Sequence, residues 1–231
     1  MPLWILYAIF GLVNSIVTLN INILILELWA RLCAVNNSIV KAFASCGDQQ
    51  LSKILLGCVR PARTCCPAEL DRLRLAHAVL HRASELLMRQ HGVTMALEVA
   101  GAFSAIIYCS YEVLVLFVAP ERSRGTVISG SVSVSLIWMT SHLLSLVALV
   151  LSCSATADEA ERTTVLVVRA AALTGCGAQW PEVDGLMRQA VATPRVAFTA
   201  AGFFTIDRTL LVSALCATVT YLVILGEISL S

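Results

Sequence analysis

The stretch TVISGSVSVSLIWMTSHLLSLVALVLSCSATA, residues 126–157, contains no Asp, Glu, Lys or Arg. Its early part, 129–135, alternates Ser with Gly or Val, and alternation taken alone reads as a β-strand. A lone strand cannot satisfy its backbone in lipid. The apolar run also continues well past the roughly 20 residues that a bilayer-crossing helix needs. The stretch is therefore read as a transmembrane helix. Its Ser and Gly are read as small residues that let another helix approach closely, with a ligand pocket on that side as the second reading.

Three further runs share this character. Residues 1–26 carry no charged side chain, 93–119 carry only Glu98 and Glu112, and 209–231 carry only Glu227. The 231-residue chain is 58% hydrophobic and only 13% charged, against about 25% charged for a soluble domain. Its mean hydropathy is +0.83. The fold class expected is an all-α membrane protein with four transmembrane helices and cytoplasmic helical extensions that form an anchor bundle. The expected segments are transmembrane helices at 1–28, 93–119, 127–153 and 209–231, the last of pore type. They are separated by a cytoplasmic loop and helix at 29–92, an extracellular turn at 120–126, and cytoplasmic helices at 154–208.

The orientation comes from the basic residues. Of the 16 Lys and Arg, only Arg122 and Arg124 fall between the second and third spans. All the others lie in the two long segments, which the positive-inside rule makes cytoplasmic. Both ends of the chain then face outward, in a multi-pass protein of the plasma membrane. The net charge of +1 points to no acidic partner. Cys33, Cys46, Cys58, Cys65, Cys66 and Cys176 lie in the long segments, where thiols stay reduced. Cys109, Cys153 and Cys216, in or beside spans, read as small apolar residues.

The long segments read as helical. Pro67 sits in a first turn with Glu69 and Asp71 behind it, complementing the helix dipole. Leu70, Leu73, His77, Leu80, Ser84 and Leu87 then recur at 3–4 spacing, a seam for packing. No Pro occurs between Pro67 and Pro120, so this helix is expected to run unbroken into the second span. Thr156-Ala157-Asp158-Glu159 reads either as a capping box or as continuing helix. A short helix is expected from Pro181, with Val183, Leu186, Met187 and Ala190 on one side, ending by Pro194. Val196 to Ile206 is apolar but too short to cross, and reads as a buried cytoplasmic helix.

Catalytic chemistry is not visible. There is no G-x-S-x-G, P-loop, H-E-x-x-H or dinucleotide fingerprint, so an enzyme is not expected, and neither is a cofactor. Cys65-Cys66 lacks a second pair at zinc spacing, and His77 and His81 have no further ligands nearby in sequence, so no metal is expected. They read as a seam histidine and an exposed one. No basic–aromatic patch suggests nucleic acid. His142 is ionisable at membrane depth, which marks a functional candidate; a neutral His bonded to a neighbouring Ser or Thr remains equally open. Glu98 and Glu112 are expected to reach interfacial water, and Asp207-Arg208 to form an interfacial pair.

The last span carries a recognisable pattern. Thr220-Tyr221-Leu222-Val223-Ile224-Leu225 resembles the C-terminal signature of the insect gustatory receptor family: Thr-Tyr, five hydrophobic residues, then Gln-Phe, in the seventh transmembrane helix. Residues 201–211, AGFFTIDRTLL, are similar to the family's run before that helix. Trp29-Ala30-Arg31 with Asn36-Asn37 is similar to the stretch after its fourth helix, and residues 75–88 to the helix leading into its fifth. The resemblance covers essentially the whole chain, aligned to helices four to seven. It implies a gustatory-receptor-like subunit of a ligand-gated cation channel for taste or chemical detection. The assembly implied is a homo- or hetero-tetramer with related receptor subunits, in contact with membrane lipid.

Four copies of the last helix would line one pore, and a small-molecule tastant would bind in an outward-facing pocket among the spans. Tyr111, Ser135, Trp138 and His142 are the candidate ligand-binding residues. Glu227 and Ile228 stand where the family has Gln and Phe. Around a pore, four Glu227 carboxylates would form a ring that attracts cations; a Glu in outer interfacial water is the bland alternative. Three helices of the family pattern are not represented, so a partial or truncated member is expected. The competing function is a non-conducting membrane interaction or modulatory protein. A G-protein-coupled receptor fits poorly, because the C-terminus is expected outside.

Overall fold

The structure is a computed structural model, and it describes residues 3–56, 67–118, 128–174 and 181–230. The elements are α1 (Leu3–Leu56), α2 (Pro67–Val118), α3 (Ile128–Thr174), α4 (Pro181–Ala192), a hairpin of β1 (Thr199–Ala200) and β2 (Phe204–Thr205), and α5 (Arg208–Leu230). The expected turn at 120–126 lies outside the described residues, as do Cys58, Cys65, Cys66 and Cys176. Four helices are long and apolar enough to cross a membrane. At 1.5 Å per residue, the 54 residues of α1 extend on the order of 80 Å, far more than the ~30 Å hydrocarbon core. The helix through Thr156–Glu159 is unbroken, which leaves no capping box there.

The chain divides into two compact units. One comprises Met1–Ile23, Gln90–Ser154 and Phe198–Ser231; the other comprises Leu24–Arg89 and Ala155–Ala197. Their surfaces differ in how much apolar side chain they expose. In the first, large apolar side chains are exposed: Leu12, Leu19, Val93, Leu97, Ile137, Leu144 and Leu215 among them. Its interior mixes apolar residues, Ile21, Met95, Val99, Leu149 and Val150 among them, with polar groups. Thr18, Asn22, Glu98, Ser152 and Thr218 are buried, and several pair across helices. Asn14 Nδ2 donates to Glu98 Oε2 at 2.6 Å, and Ser152 Oγ donates to Asn22 Oδ1 at 3.0 Å. Helices in lipid gain little by hiding Leu from lipid tails and hold together through small residues and hydrogen bonds. Glu98 therefore departs from the expectation of interfacial water. It is 8% exposed, and Asn14 supplies the partner that a buried carboxylate requires.

The second unit has one apolar core where four helices meet, although Leu75, Val79 and Val191 stay exposed. Ile39, Ala42 and Phe43 of α1 pack with Leu70 and Leu73 of α2, Val167 of α3, and Val183, Leu186 and Ala190 of α4. The expected seam of α2 is buried from Leu70 through Ser84, with Leu87 half-buried. The charges lie outside, in pairs such as Arg31–Glu27, Arg188–Asp184 and Arg195–Glu161, each at 2.8 Å. A buried polar knot ties α1 to α3. Asn36 Nδ2 donates to the Glu159 carbonyl at 3.0 Å and to Glu159 Oε1 at 2.8 Å, while Thr163 Oγ1 donates to Asn36 Oδ1 at 2.6 Å.

The helix expected over Val196–Ile206 is not formed. The segment folds as an antiparallel hairpin pairing Thr199 with Thr205 and Ala200 with Phe204. The turn explains why. Ala201 has φ 52° and Gly202 φ 80°, and Phe203 N–H donates to the Ala200 carbonyl at 3.0 Å. Two successive positive φ values make the tight hairpin turn whose twist matches the strands, and Gly202 adopts one of them without steric cost. The segment is also not uniformly buried, since Phe203 is 85% exposed.

Asp207 then starts α5. Its Oδ1 accepts the backbone N–H of Thr209 at 3.0 Å and of Leu210 at 3.3 Å, and the Thr209 hydroxyl also donates to it. This is an N-cap. The Thr209 hydroxyl first, and then the two backbone N–H groups, hold the Asp207 carboxyl below its ordinary pKa. A depressed folded-state pKa adds stability that is fully present above the unfolded value of about 3.9 and is lost as pH falls through the folded value. The protection of amides at the start of α5, exchange being measured against its intrinsic rate at each pH, is therefore expected to fall on acidification below about pH 4. In Asp207→Asn, which still caps but does not titrate, that acid step disappears. An equal acid response in the two proteins would contradict the assignment.

Candidate functional site

The signature residues lie on α5, the least covered of the four long helices. Only 6% of its apolar window is buried within the chain, against 28%, 33% and 17% for those of α1, α2 and α3. What cover it has runs along one stripe: Leu211, Ala214, Thr218, Leu222 and Leu225 are buried or half-buried. Glu227 falls on the opposite side of the helix by the 3.6-residue period. Cys216, Thr220 and Val223 share that side, all exposed. Thr220 Oγ1 donates to the carbonyl of Cys216 at 2.9 Å, which spends its proton within the helix. Tyr221 and Ile224 are also exposed, whereas Leu222 and Leu225 face the chain.

The candidate ligand residues come together in part. Ser135, Trp138 and His142 follow one another at spacings of three and four, so they share one face of α3. Their rings and hydroxyl are engaged. Trp138 and His142 make an edge contact with centroids 5.1 Å apart at 71°, and Ser135 Oγ donates to Glu112 Oε2 of α2. The adjacent Tyr111 is half-buried. Gly11 of α1 makes room for Trp138, because a Cβ there would stand 2.4 Å from the indole ring. This face of α3 thus meets α1 and α2 within one unit. Glu112 and Gly11 were not among the expected binding residues. The spacing of Ser135, Trp138 and His142 was readable beforehand; their partners were not.

In the other unit, two histidines of α2 border a cavity of ≈260 Å³ together with residues of α3, α4 and the segment after α4. His77 is 5% exposed and His81 half-buried, so the expectation of an exposed His81 does not hold. Its Nε2 stands 3.0 Å from the Pro194 carbonyl. Burial first, and then the neighbouring His81, lower the His77 pKa below its ordinary value. Among the described residues, His77 Nδ1 is the buried side-chain atom without a hydrogen-bond partner. No group of three or more His, Cys, Asp and Glu among the described residues is arranged to hold a metal ion.

Comparison with known proteins agrees with the architecture. A family model described as 7tm Chemosensory receptor matches residues 2–230. Gustatory receptor 68a of Drosophila melanogaster is 26% identical over 135 residues, covering 58% of this chain and 34% of its own length. Putative gustatory receptor 2a of the same fly is 28% identical over 184 residues, covering 71% of this chain and 42% of its own length. The chain thus spans less than half the length of these two relatives. The insect olfactory receptor OR5 from Machilis hrabei, solved in complex with eugenol, matches with a TM-score of 0.54 and 16% identity, over 82% of this chain and 45% of that one. That likeness is one of fold.

Proposed function

Because the chain belongs to the 7tm chemosensory receptor family, we propose that it serves in the plasma membrane as a subunit of a ligand-gated cation channel for taste or chemical detection. It assembles as a homo- or hetero-tetramer with related receptor subunits. A small-molecule tastant, the ligand class suggested by the two gustatory receptors it resembles, acts on the face built from Tyr111, Ser135, Trp138 and His142. Segments 29–92 and 154–208 lie in the cytoplasm and both chain ends lie outside, as the placement of Lys and Arg supports. The largely apolar surface of one unit and the ion-paired surface of the other fit a bilayer and an aqueous environment respectively.

The observation that carries this reading is the bare face of α5. A helix with apolar residues at Val212 and Val223, an exposed carboxylate at Glu227, and almost no cover from its own chain suits a shared central position. Around a symmetry axis that face meets its copies and water, where Glu227 is hydrated rather than set in lipid.

Cys216 tests it. It is exposed, unpaired and on the same side as Glu227. With the chain co-expressed beside a related subunit, a positively charged methanethiosulfonate reagent is expected to block most of the tastant-evoked current. Cys216→Ser should keep the current and lose the block. Current that is insensitive to the reagent removes α5 from the conduction path. Complex formation without any current supports a non-conducting modulatory subunit instead.

A further inference from the structure

The hairpin ahead of α5 has two unlike sides. Phe198, Ala200 and Ile206 are buried, and Ile206 N–H donates to the Phe198 carbonyl at 2.7 Å. The turn rests on α2 at Gly92. A Cβ there would stand 3.2 Å from the Ala201 nitrogen and 3.5 Å from the Thr199 carbonyl oxygen. The other side, from Ala201 to Thr205, is exposed throughout. Phe203, in the loop between the strands, is the most exposed large apolar side chain among the described residues, and Phe204 beside it is exposed as well. Buried neighbours, a strand pair and a close contact with α2 thus hold an aromatic ring outward.

Three helices set the level at which it stands. Gly92 immediately precedes the run of α2, 93–119, whose only charges are Glu98 and Glu112. Asp207 and Arg208 open α5, where residues 209–231 carry only Glu227. Arg208 Nε donates to Ser154 Oγ at 3.4 Å, and Ser154 lies near the end of the charge-free run 126–157 of α3. All these residues belong to one unit. The apolar stretches of α2, α3 and α5 therefore start or stop at the hairpin. In a bilayer that level is the boundary between hydrocarbon and headgroups.

The hairpin is suited to enter that boundary. Residues 199–206, TAAGFFTI, carry no charge, so no ion has to leave water. Backbone groups of the turn are paired, Phe203 N–H with the Ala200 carbonyl among them, which lowers the cost of leaving water. An exposed ring gains by moving from water to the acyl-chain edge, a depth at which Phe side chains of interfacial elements lie.

We infer that the hairpin is a lipid-anchoring element at the foot of α5. Phe203, with Phe204 beside it, enters the bilayer between the headgroups and the acyl chains of the cytoplasmic leaflet. The inference rests on the placement of this unit in a bilayer proposed above.

The experiment replaces Phe203 with trifluoromethylphenylalanine in the purified full chain, in phosphatidylcholine nanodiscs. Fluorine relaxation is read with nitroxide lipids and, separately, with an aqueous gadolinium chelate. Relaxation is expected to rise about threefold or more with a nitroxide near the headgroup end of the acyl chain, and less with one at the chain end or with the chelate. The same label in place of Ile137, which is 70% exposed on α3, is the reference. Both positions are exposed, so the label replaces no buried packing. A response at Ile137 with relaxation at 203 dominated by the chelate puts the ring in water and overturns the anchor alone. A response at Ile137 with none at 203 means that protein covers the ring, a second copy or another segment, and also overturns it. If neither position responds to the lipid nitroxides, the bilayer placement fails and the anchor with it.

Discussion

Asn36→Leu lowers the stability of the charged-surface unit by about 2–4 kcal/mol, and it does so by stranding its neighbours as much as by removing its own bonds. Asn36 and Thr163 are 2% and 1% exposed. Leucine is close to asparagine in size, so the loss is polar rather than steric. It removes two donations to Glu159, one of them to a carboxylate, and the acceptor of the Thr163 hydroxyl. A bond to a charged group contributes about 1.5–3 kcal/mol, and an unsatisfied buried partner costs about 1–3 more. The total falls below the simple sum because Thr163 also reaches the Glu159 carbonyl at 3.3 Å. Thermal unfolding followed by amide exchange across residues 155–174 reads the effect. Adding Thr163→Val removes the stranded hydroxyl and should recover part of the loss. A single variant that melts with the wild type would show the knot to be energetically idle.

Glu227→Lys is the second large effect, this time on permeation. If the bare face of α5 lines a pore, each subunit contributes one carboxylate to a ring that concentrates cations. Lysine reverses the sign at every position of that ring. Cation current is then expected to fall by about tenfold or more, with the reversal potential in a sodium chloride gradient moving toward that of chloride. Glu227→Gln only neutralises the ring and should lower current a few-fold without inverting selectivity. An unmoved reversal potential in Glu227→Lys would put the side chain in outer interfacial water, away from the ions.

The membrane helices were legible in the sequence because charge is forbidden in lipid over a length that few buried cores require. The α4 helix was equally plain, since Pro181 opens it and Val183, Leu186 and Ala190 repeat on one side. The hairpin was not. Two-residue strands are too short to show alternation, and Val196–Ile206 offered only an apolar count; Gly202 ahead of Phe203, Phe204 and Thr205 was the available cue. The pairs that hold the membrane unit together were half visible. Asn14, Thr18 and Asn22 recur every four residues and announce a polar stripe. That Asn14 meets Glu98, and Asn22 meets Ser152, depends on how helices distant in sequence register against each other. The candidate site divides in the same way: the face shared by Ser135, Trp138 and His142 follows from spacing, and its closure by Gly11 and Glu112 does not.

The apolar outer surface of the unit proposed to lie in the membrane has a calorimetric consequence. Heat capacity rises on unfolding because apolar surface passes into water. In the unit formed by Leu24–Arg89 and Ala155–Ala197, Ile39, Phe43, Leu70 and Leu186 make that passage. In the other unit, Leu12, Leu97, Ile137 and Leu215 already face outward, and in a bilayer they exchange lipid for lipid. The heat-capacity increment of the folded protein therefore belongs to roughly half of its residues. It comes to about 1.5 kcal/mol/K, where a soluble protein of this length would show about 3. On the proposed placement, stability is strongly curved with temperature for the unit in water and nearly straight for the unit in lipid.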